Sequence, residues 1–405
     1  MAAPLLHGLT AFIVSYALLV IASSRGVKAF YSILIMVTAF AILAGTPGVI
    51  EQSTIAFFAW RNVRAIIVLY LSLLTAGLLK EVGVLDRLLK GVSRGGCRFG
   101  GLAVPSLVGL LPMPGGALVS AIIVKDRYLK ELGLGRDEAV YLNYWFRHIW
   151  VPVWPLFQSL ILTAAILGVT EGLVIRYTWP ASIVSILAGV VVAWFLLRGR
   201  KCRGVVNDGS WSDLAYGLWP FILIAILVMF LDVNMIISLT ITLVLAALYY
   251  RPNWKNFENA VEFASRPTIL GVLILSLFFK ELLVRTSAPQ DLLHLATTSG
   301  LHIYIVAYLV TFIAGLAAGG ENFFAATAIP LLLPFIEPST GVIAGSVLLA
   351  AYTGGYLGVM MSPVHLCLAL TVEYFKARMS RSLLYSFVTV AIASILVFAY
   401  LFTAG

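Results

Sequence analysis

Arg147 and His148 stand side by side about ten residues into an apolar stretch that otherwise runs from Ala139 to Leu167. An ionisable pair at that depth is costly and faces an interior cavity or a partner. The planar fork of Arg147 suits a carboxylate, and His148 can donate a hydrogen bond or carry a proton. The competing account is structural, with Arg147 neutralised by Glu321 or helix carbonyls and His148 packed in the core. Glu321 itself lies in an apolar region, where a lone carboxylate tends to be neutral. It suits a proton carrier, and equally a helix cap or the partner of Arg147. Two glycine-bearing turns complete the set. Residues 111–116 read Leu-Pro-Met-Pro-Gly-Gly, and residues 319–322 read Gly-Gly-Glu-Asn. Where a helix starts at such a turn, its free amides and positive dipole end favour an anion. Pro114, Gly115, Gly116 and Gly320 are therefore candidate substrate contacts, with Asn322 capping the second half-helix.

These residues must be positioned by membrane helices. Hydrophobic residues make up 61% of 405 positions and charged residues 11%, with mean hydropathy +1.00, outside the usual range of soluble proteins. Hydropathy and helix breakers predict an all-α polytopic protein with about ten spans, near 5–23, 29–47, 65–82, 138–168, 173–197, 212–232, 234–250, 267–285, 342–371 and 383–402. Residues 99–124 and 302–336 carry Pro and Gly at their centres and predict two re-entrant hairpins. The net charge of +9 does not point to nucleic acid. Of 27 Lys and Arg, 20 fall in loops that alternate to one side, which places that side in the cytoplasm and both termini outside. Arg61, Arg64, Arg176 and Arg285 fall on the other side. Cys97 and Cys202 are expected reduced in cytoplasmic loops, and Cys367 shows no metal-ligand spacing.

The chain repeats itself. LLKE at 78–81 matches FFKE at 278–281, GLLPMPGGALVSA at 109–121 matches GLAAGGENFFAATA at 315–328, and WFRHIWVPVWP at 145–155 matches YTGGYLGVMMSP at 352–363. Two inverted repeats are expected, 29–197 and 234–402, after an N-terminal helix (1–28) and joined by a basic cytoplasmic loop and linking helix (198–233). Each holds a hairpin and a broken helix, the latter at 138–168 and 342–371. Pro152 and Pro155 break the first, and Gly354, Gly355, Gly358 and Pro363 are expected to break the second. Freed carbonyls there, with the hydroxyls of Thr353 and Ser362, offer sites for substrate (Thr353, Gly354) or coupling ion (Gly355, Gly358, Ser362). Plain kinks are the alternative. Trp145, Trp150 and Trp154 read as packing or interface anchors, and His365 and Glu373 as structural. Lys80-Glu81 and Lys280-Glu281 read as helix-end pairs in which lysine snorkels.

Paired hairpins, the PMPGG tip and inverted halves resemble the ion transporter superfamily, which includes gluconate, dicarboxylate and citrate permeases. LVGLLPMPGGALVSA resembles a prokaryotic integral-membrane branch of unknown function. The resemblance implies a homodimer in a prokaryotic cell membrane, with an elevator-type transport domain driven by sodium or protons. One departure weighs against sodium: the Ser-Asn-Thr tips of the dicarboxylate branch are absent.

The expectation is therefore a secondary active transporter, a symporter of a small organic carboxylate held in the lipid bilayer. Its coupling ion is Glu321-borne H+ or Na+, and no further cofactor is expected. An uncoupled anion channel is the alternative. An intramembrane enzyme is less favoured, because no span carries Gly-x-Ser-x-Gly or His-Glu-x-x-His. Single cysteines at positions 98 and 125 are expected to react with an impermeant thiol reagent from the same side of the membrane. Labelling from opposite sides would exclude a re-entrant first hairpin.

Overall fold

A chain this apolar can satisfy its backbone within a bilayer only by forming helices or a closed barrel, and it forms helices. The computed structural model describes residues 7–92, 96–113, 116–202, 210–337 and 342–404. The first half contains α1 (His7–Ser24), α2 (Ala29–Ala44), α3 (Pro47–Phe57), α4 (Trp60–Glu81), α5 (Val84–Val92), α6 (Gly96–Gly109), α7 (Gly116–Asp126), α8 (Arg136–His148), α9 (Gln158–Leu167) and α10 (Glu171–Leu197). The second contains α11 (Trp211–Ala225), α12 (Met235–Tyr250), α13 (Trp254–Ala264), α14 (Pro267–Leu283), α15 (Ala288–Ser299), α16 (Ile303–Ala318), α17 (Glu321–Leu331), α18 (Leu333–Ile336), α19 (Gly345–Met361), α20 (Leu366–Phe375) and α21 (Met379–Ala404). Among the described residues, seven helical segments are long and apolar enough to cross a membrane. Apolar side chains stay exposed along them: Trp179, Ile183, Leu187, Val191 and Trp194 mark one stripe of α10, as expected of a surface solvated by lipid.

Each of the ten expected spans coincides with a helix or a helix pair. The two expected hairpins are helix–turn–helix units, α6 with α7 and α16 with α17, and the arms of each are in contact. Four short helices, α3, α5, α13 and α15, occupy stretches that hydropathy alone leaves as loops. In α5 the buried positions Val84, Leu85, Leu88, Gly91 and Val92 recur at helical spacing, giving an amphipathic helix. Arg87 on this helix pairs with Asp213 of α11 at 2.7 Å.

The first broken helix separates as expected, α8 ending at His148 and α9 starting at Gln158. The carbonyls freed in this break already have partners. Thr178 donates to Pro152 O at 2.6 Å and Ser182 to Ile149 O at 2.8 Å. The second break falls at Pro363, one of the four residues expected to make it, and not at the glycines. Gly354, Gly355 and Gly358 sit inside the unbroken helix α19, and the interruption is at 362–365. Their role is packing, because α16 lies against α19 so closely that side chains would not fit. A Cβ on Gly354 would collide with the Tyr308 carbonyl, and one on Gly358 with the Phe312 carbonyl. The carbonyls of these glycines belong to a continuous helix, so the idea that they are freed for a cation is corrected.

The four arginines on the side opposite the basic loops are all ion-paired. Arg64 meets Glu171 at 2.5 Å, Arg176 meets Asp232 at 3.9 Å, and Arg61 and Arg285 meet Glu281 at 3.2 and 2.7 Å. Glu281 is fully buried, accepts from Asn62 at 3.0 Å and also pairs with Lys280. Lys280 is likewise buried and does not snorkel. Lys80 and Glu81 are the more exposed counterpart, paired at 3.6 Å.

One expectation about cysteine is overturned. Cys97 at the start of α6 and Cys202 after α10 form a disulfide, with Cα atoms 6.1 Å apart. That separation is within normal disulfide geometry. The partners are 105 positions apart, so local spacing carried no sign of the pairing.

Close helix contact at the α16–α19 seam makes a stability prediction. Gly354→Val is expected to lower stability in detergent by about 1–3 kcal/mol or more through overpacking. Gly48→Ala, at a helical position with open space around it, should stay within about 0.5 kcal/mol of the parent. Thermal unfolding of purified protein measures both.

Candidate functional site

The last turn of α8 carries Arg147 and His148 into the centre of the molecule, where they are 3% and 1% exposed. Trp150 and Trp154, in the break that follows, hold the first hairpin in place. Their indole N–H groups donate to Ser106 O at 2.9 Å and Leu110 O at 2.8 Å, carbonyls at the C-terminal end of α6 that need partners from outside the helix. Asn143 donates to Ala117 O at 2.9 Å and ties α8 to α7. Two glycines let the hairpin come close. A Cβ on Gly109 would strike the Arg147 carbonyl, and one on Gly116 would strike the guanidinium.

The guanidinium donates from Nη2 to Met113 O at 3.2 Å, and Nη1 lies 3.4 Å from His148 Nε2. Its Nε–H has no partner among the described residues. Nor does any carboxylate of the described residues lie within the 4.0 Å that defines an ion pair. The suggested Arg147–Glu321 pair is therefore not formed in this state. A buried cation without a carboxylate beside it faces a cavity of about 690 Å³, which Arg147 shares with Met113, Gly320, Glu321 and Asn322.

The second hairpin brings its own helix start to this cavity. Gly319 takes φ +65°, a left-handed value that suits glycine, and the chain re-enters helix at Glu321 with Gly320 as N-cap. No side chain caps this helix. Asn322 is not the cap expected of it, because it lies one residue inside the helix. The first amides of α17 thus remain without a side-chain partner beside the cavity.

Arg147, Gly320, Glu321 and Asn322 line the cavity, whereas Gly116 and His148 are not in its wall and lie behind it against the Arg147 guanidinium. Pro114 and Gly115 lie outside the described residues. Thr353, Gly354, Gly355 and Gly358 are in the buried body of α19 and do not line the cavity. Ser362 is buried at the second break, and its hydroxyl has no hydrogen-bond partner among the described residues, as is also true of Thr353. Two residues absent from the expected site do line the cavity, His365 and Cys367. His365 Nδ1 is 2.7 Å from Gly319 O, and its Nε2 is 3.3 Å from that of His148. The sequence held no signal for this meeting, since 217 positions separate the histidines.

Long apolar helices, with two helix–turn–helix units and two interrupted helices around an interior cavity, mark a multi-pass membrane protein. The chain belongs to the family described as protein of unknown function (DUF401), whose model matches residues 9–403. Its structure is similar to the crystal structure of the YdaH transporter of Alcanivorax borkumensis, with a TM-score of 0.60 over 97% of this chain and 98% of that one. Sequence identity is 14%, so the likeness concerns the fold. No curated protein matches the chain in sequence.

Crowding at Gly116 supplies a test of the site's geometry. The atom that a new methyl would meet is the end of the flexible Arg147 side chain, so Gly116→Ala is expected to fold and to displace the guanidinium. The variant should lose at most about 1–3 kcal/mol of stability by overpacking, as measured by thermal unfolding of purified protein.

Proposed function

We propose that this protein is a secondary active transporter that moves a small organic anion, a carboxylate, across a prokaryotic cell membrane. The observation that carries the reading is Arg147: a buried guanidinium facing a cavity, with no carboxylate in ion-pairing range. Burying a charge without a counter-charge is expensive, and an anionic cargo supplies one. The open amide end of α17 adds positive potential on the facing wall. The transporter fold shared with YdaH supports the reading.

The two halves act as inverted repeats in this proposal. A packing detail supports the relation. Gly109 abuts the Arg147 carbonyl, and Gly315 abuts the Gly355 carbonyl, 206 and 208 positions further along. The cavity is also bordered by Lys28 and Thr268, next to basic loops assigned to the cytoplasm, which favours an inward-open state. Elevator movement of the hairpins against a dimeric scaffold follows from the family resemblance.

Protons are the preferred coupling ion. Glu321 lines the cavity and no side-chain ion pair engages it, whereas the backbone at Gly354–Gly358, the main alternative for sodium, is a continuous helix. Uptake into proteoliposomes is expected to follow an inward proton gradient without sodium, and Glu321→Gln should abolish that dependence. Uptake that requires sodium and ignores the proton gradient would reverse the assignment.

Arg147→Ala is expected to abolish uptake in protein that remains monodisperse. Arg147→Lys should recover little, because the planar fork is lost. Transport by Arg147→Ala at unchanged apparent affinity would refute the substrate assignment.

A further inference from the structure

His148, His365 and Cys367 form a cluster in which one nitrogen of each imidazole and the Cys367 sulfur all lie within 4.8 Å of one another. The hydrogen bonds decide which histidine atoms face inward. His148 Nδ1 is 2.7 Å from Tyr144 O, and His365 Nδ1 is 2.7 Å from Gly319 O. A carbonyl only accepts, so both Nδ1 atoms carry the proton and donate it. In the neutral rings, each Nε2 is then left as a lone pair. These lone pairs point at a common space, with the two Nε2 atoms 3.3 Å apart. Two facing acceptors repel unless something electrophilic lies between them. Arg147 Nη1, 3.4 Å from His148 Nε2, can serve one ring, and the thiol of Cys367 in the same cluster, a weak donor, can serve the other until a metal displaces its proton.

We propose that His148 Nε2, His365 Nε2 and Cys367 Sγ bind a d10 metal ion of the zinc(II) or copper(I) class. Two imidazoles and a thiolate match the ligand preference of these ions, whereas sodium, magnesium and calcium favour oxygen. A backbone carbonyl on the far nitrogen of each ring is the outer-shell arrangement that fixes tautomer and orientation in metal-binding histidines. The three residues come from two segments: His148 ends α8, and His365 and Cys367, two positions apart, stand at the start of α20. A metal would therefore clamp the two broken helices to each other. Entry is through the cavity, which His365 and Cys367 both line.

Binding displaces one proton. The Cys367 thiol releases it to cavity water, and the imidazoles coordinate as neutral ligands. Arg147 is the nearby charge that opposes a cation; the negative charge of the thiolate formed on binding offsets it, and the Glu321 carboxyl group lines the same cavity. A fourth position toward the cavity is suited to an anionic ligand or water, giving the open tetrahedral site of a three-ligand centre.

The test uses the full chain in detergent, after chelator treatment and dialysis, with zinc(II) for affinity and cobalt(II) as the spectroscopic probe. Transport is not measured, so the result stands apart from the fate of the organic-anion reading. The wild type is expected to bind one equivalent of zinc and to show a thiolate-to-cobalt charge-transfer band. Cys367→Ser, close in size to the original, should lose that band. Its zinc affinity should fall by at least the roughly 10–100-fold that loss of an outer-shell partner costs. His365→Gln should weaken zinc comparably while retaining the same metal-free melting temperature as the wild type. A folded wild type that binds no zinc would overturn the proposal. So would zinc binding of unchanged affinity in Cys367→Ser and His365→Gln, which would place the metal elsewhere.

Discussion

A guanidinium buried in the apolar interior is the constraint around which the centre of this protein is arranged. Charge at that depth must be met by dipoles, a partner or a ligand, and here the protein supplies only part of the answer. Met113 offers a carbonyl at 3.2 Å, while Nε keeps an unpaired donor. Every element that touches Arg147 is adapted to it. Gly116 leaves room for the fork and Gly109 for the backbone behind it, and the Trp150 and Trp154 indoles hold α6 where those glycines are needed. The hairpin is thus latched to the broken helix beside the charge it helps to solvate.

In the proposed repeat, the position in the second half that corresponds to Arg147 is solved with opposite chemistry. There the broken helix carries Gly355 in the place of Arg147, and the ring of Phe324 from the hairpin fills the space above it. In the first half the hairpin residue is small and the helix residue is large and charged. Exchanging which partner supplies the bulk lets one backbone arrangement be polar in one half and apolar in the other. The site is consequently one-sided: the cation comes from the first half, and the exposed helix start and Glu321 come from the second.

Charge elsewhere is managed by pairing. The arginines that break the pattern of basic loops all find carboxylates, three of them at buried Glu281 or Glu171. Buried pairs of this kind are poor sources of net stability but costly to break. Arg147 lies at the other extreme, a buried cation without such a partner, and this contrast is what separates it from the structural arginines. Sequence position does not reveal this, since Lys280 reads as a snorkelling helix-end lysine and yet is buried and paired.

Much of the helical plan was legible from the chain. Twenty-residue apolar windows, basic loops and Pro-Gly interruptions are local quantities, and they placed the long helices, both hairpins and the break after His148. Arg147 and Glu321 stood out because charge in an apolar stretch is visible without any coordinates. Other features depended on approach between distant segments. Glycines at 354–358 look like helix breakers in sequence, yet they keep a helix continuous by letting α16 pack against it. The Cys97–Cys202 link and the meeting of His148 with the His365–Cys367 segment join residues remote along the chain, so no spacing rule could find them. The sequence by itself determined where the chain would be helical and which side chains were expensive to bury. Only the tertiary structure decided which of those side chains would be compensated, because that depends on what other segments bring within a few ångströms.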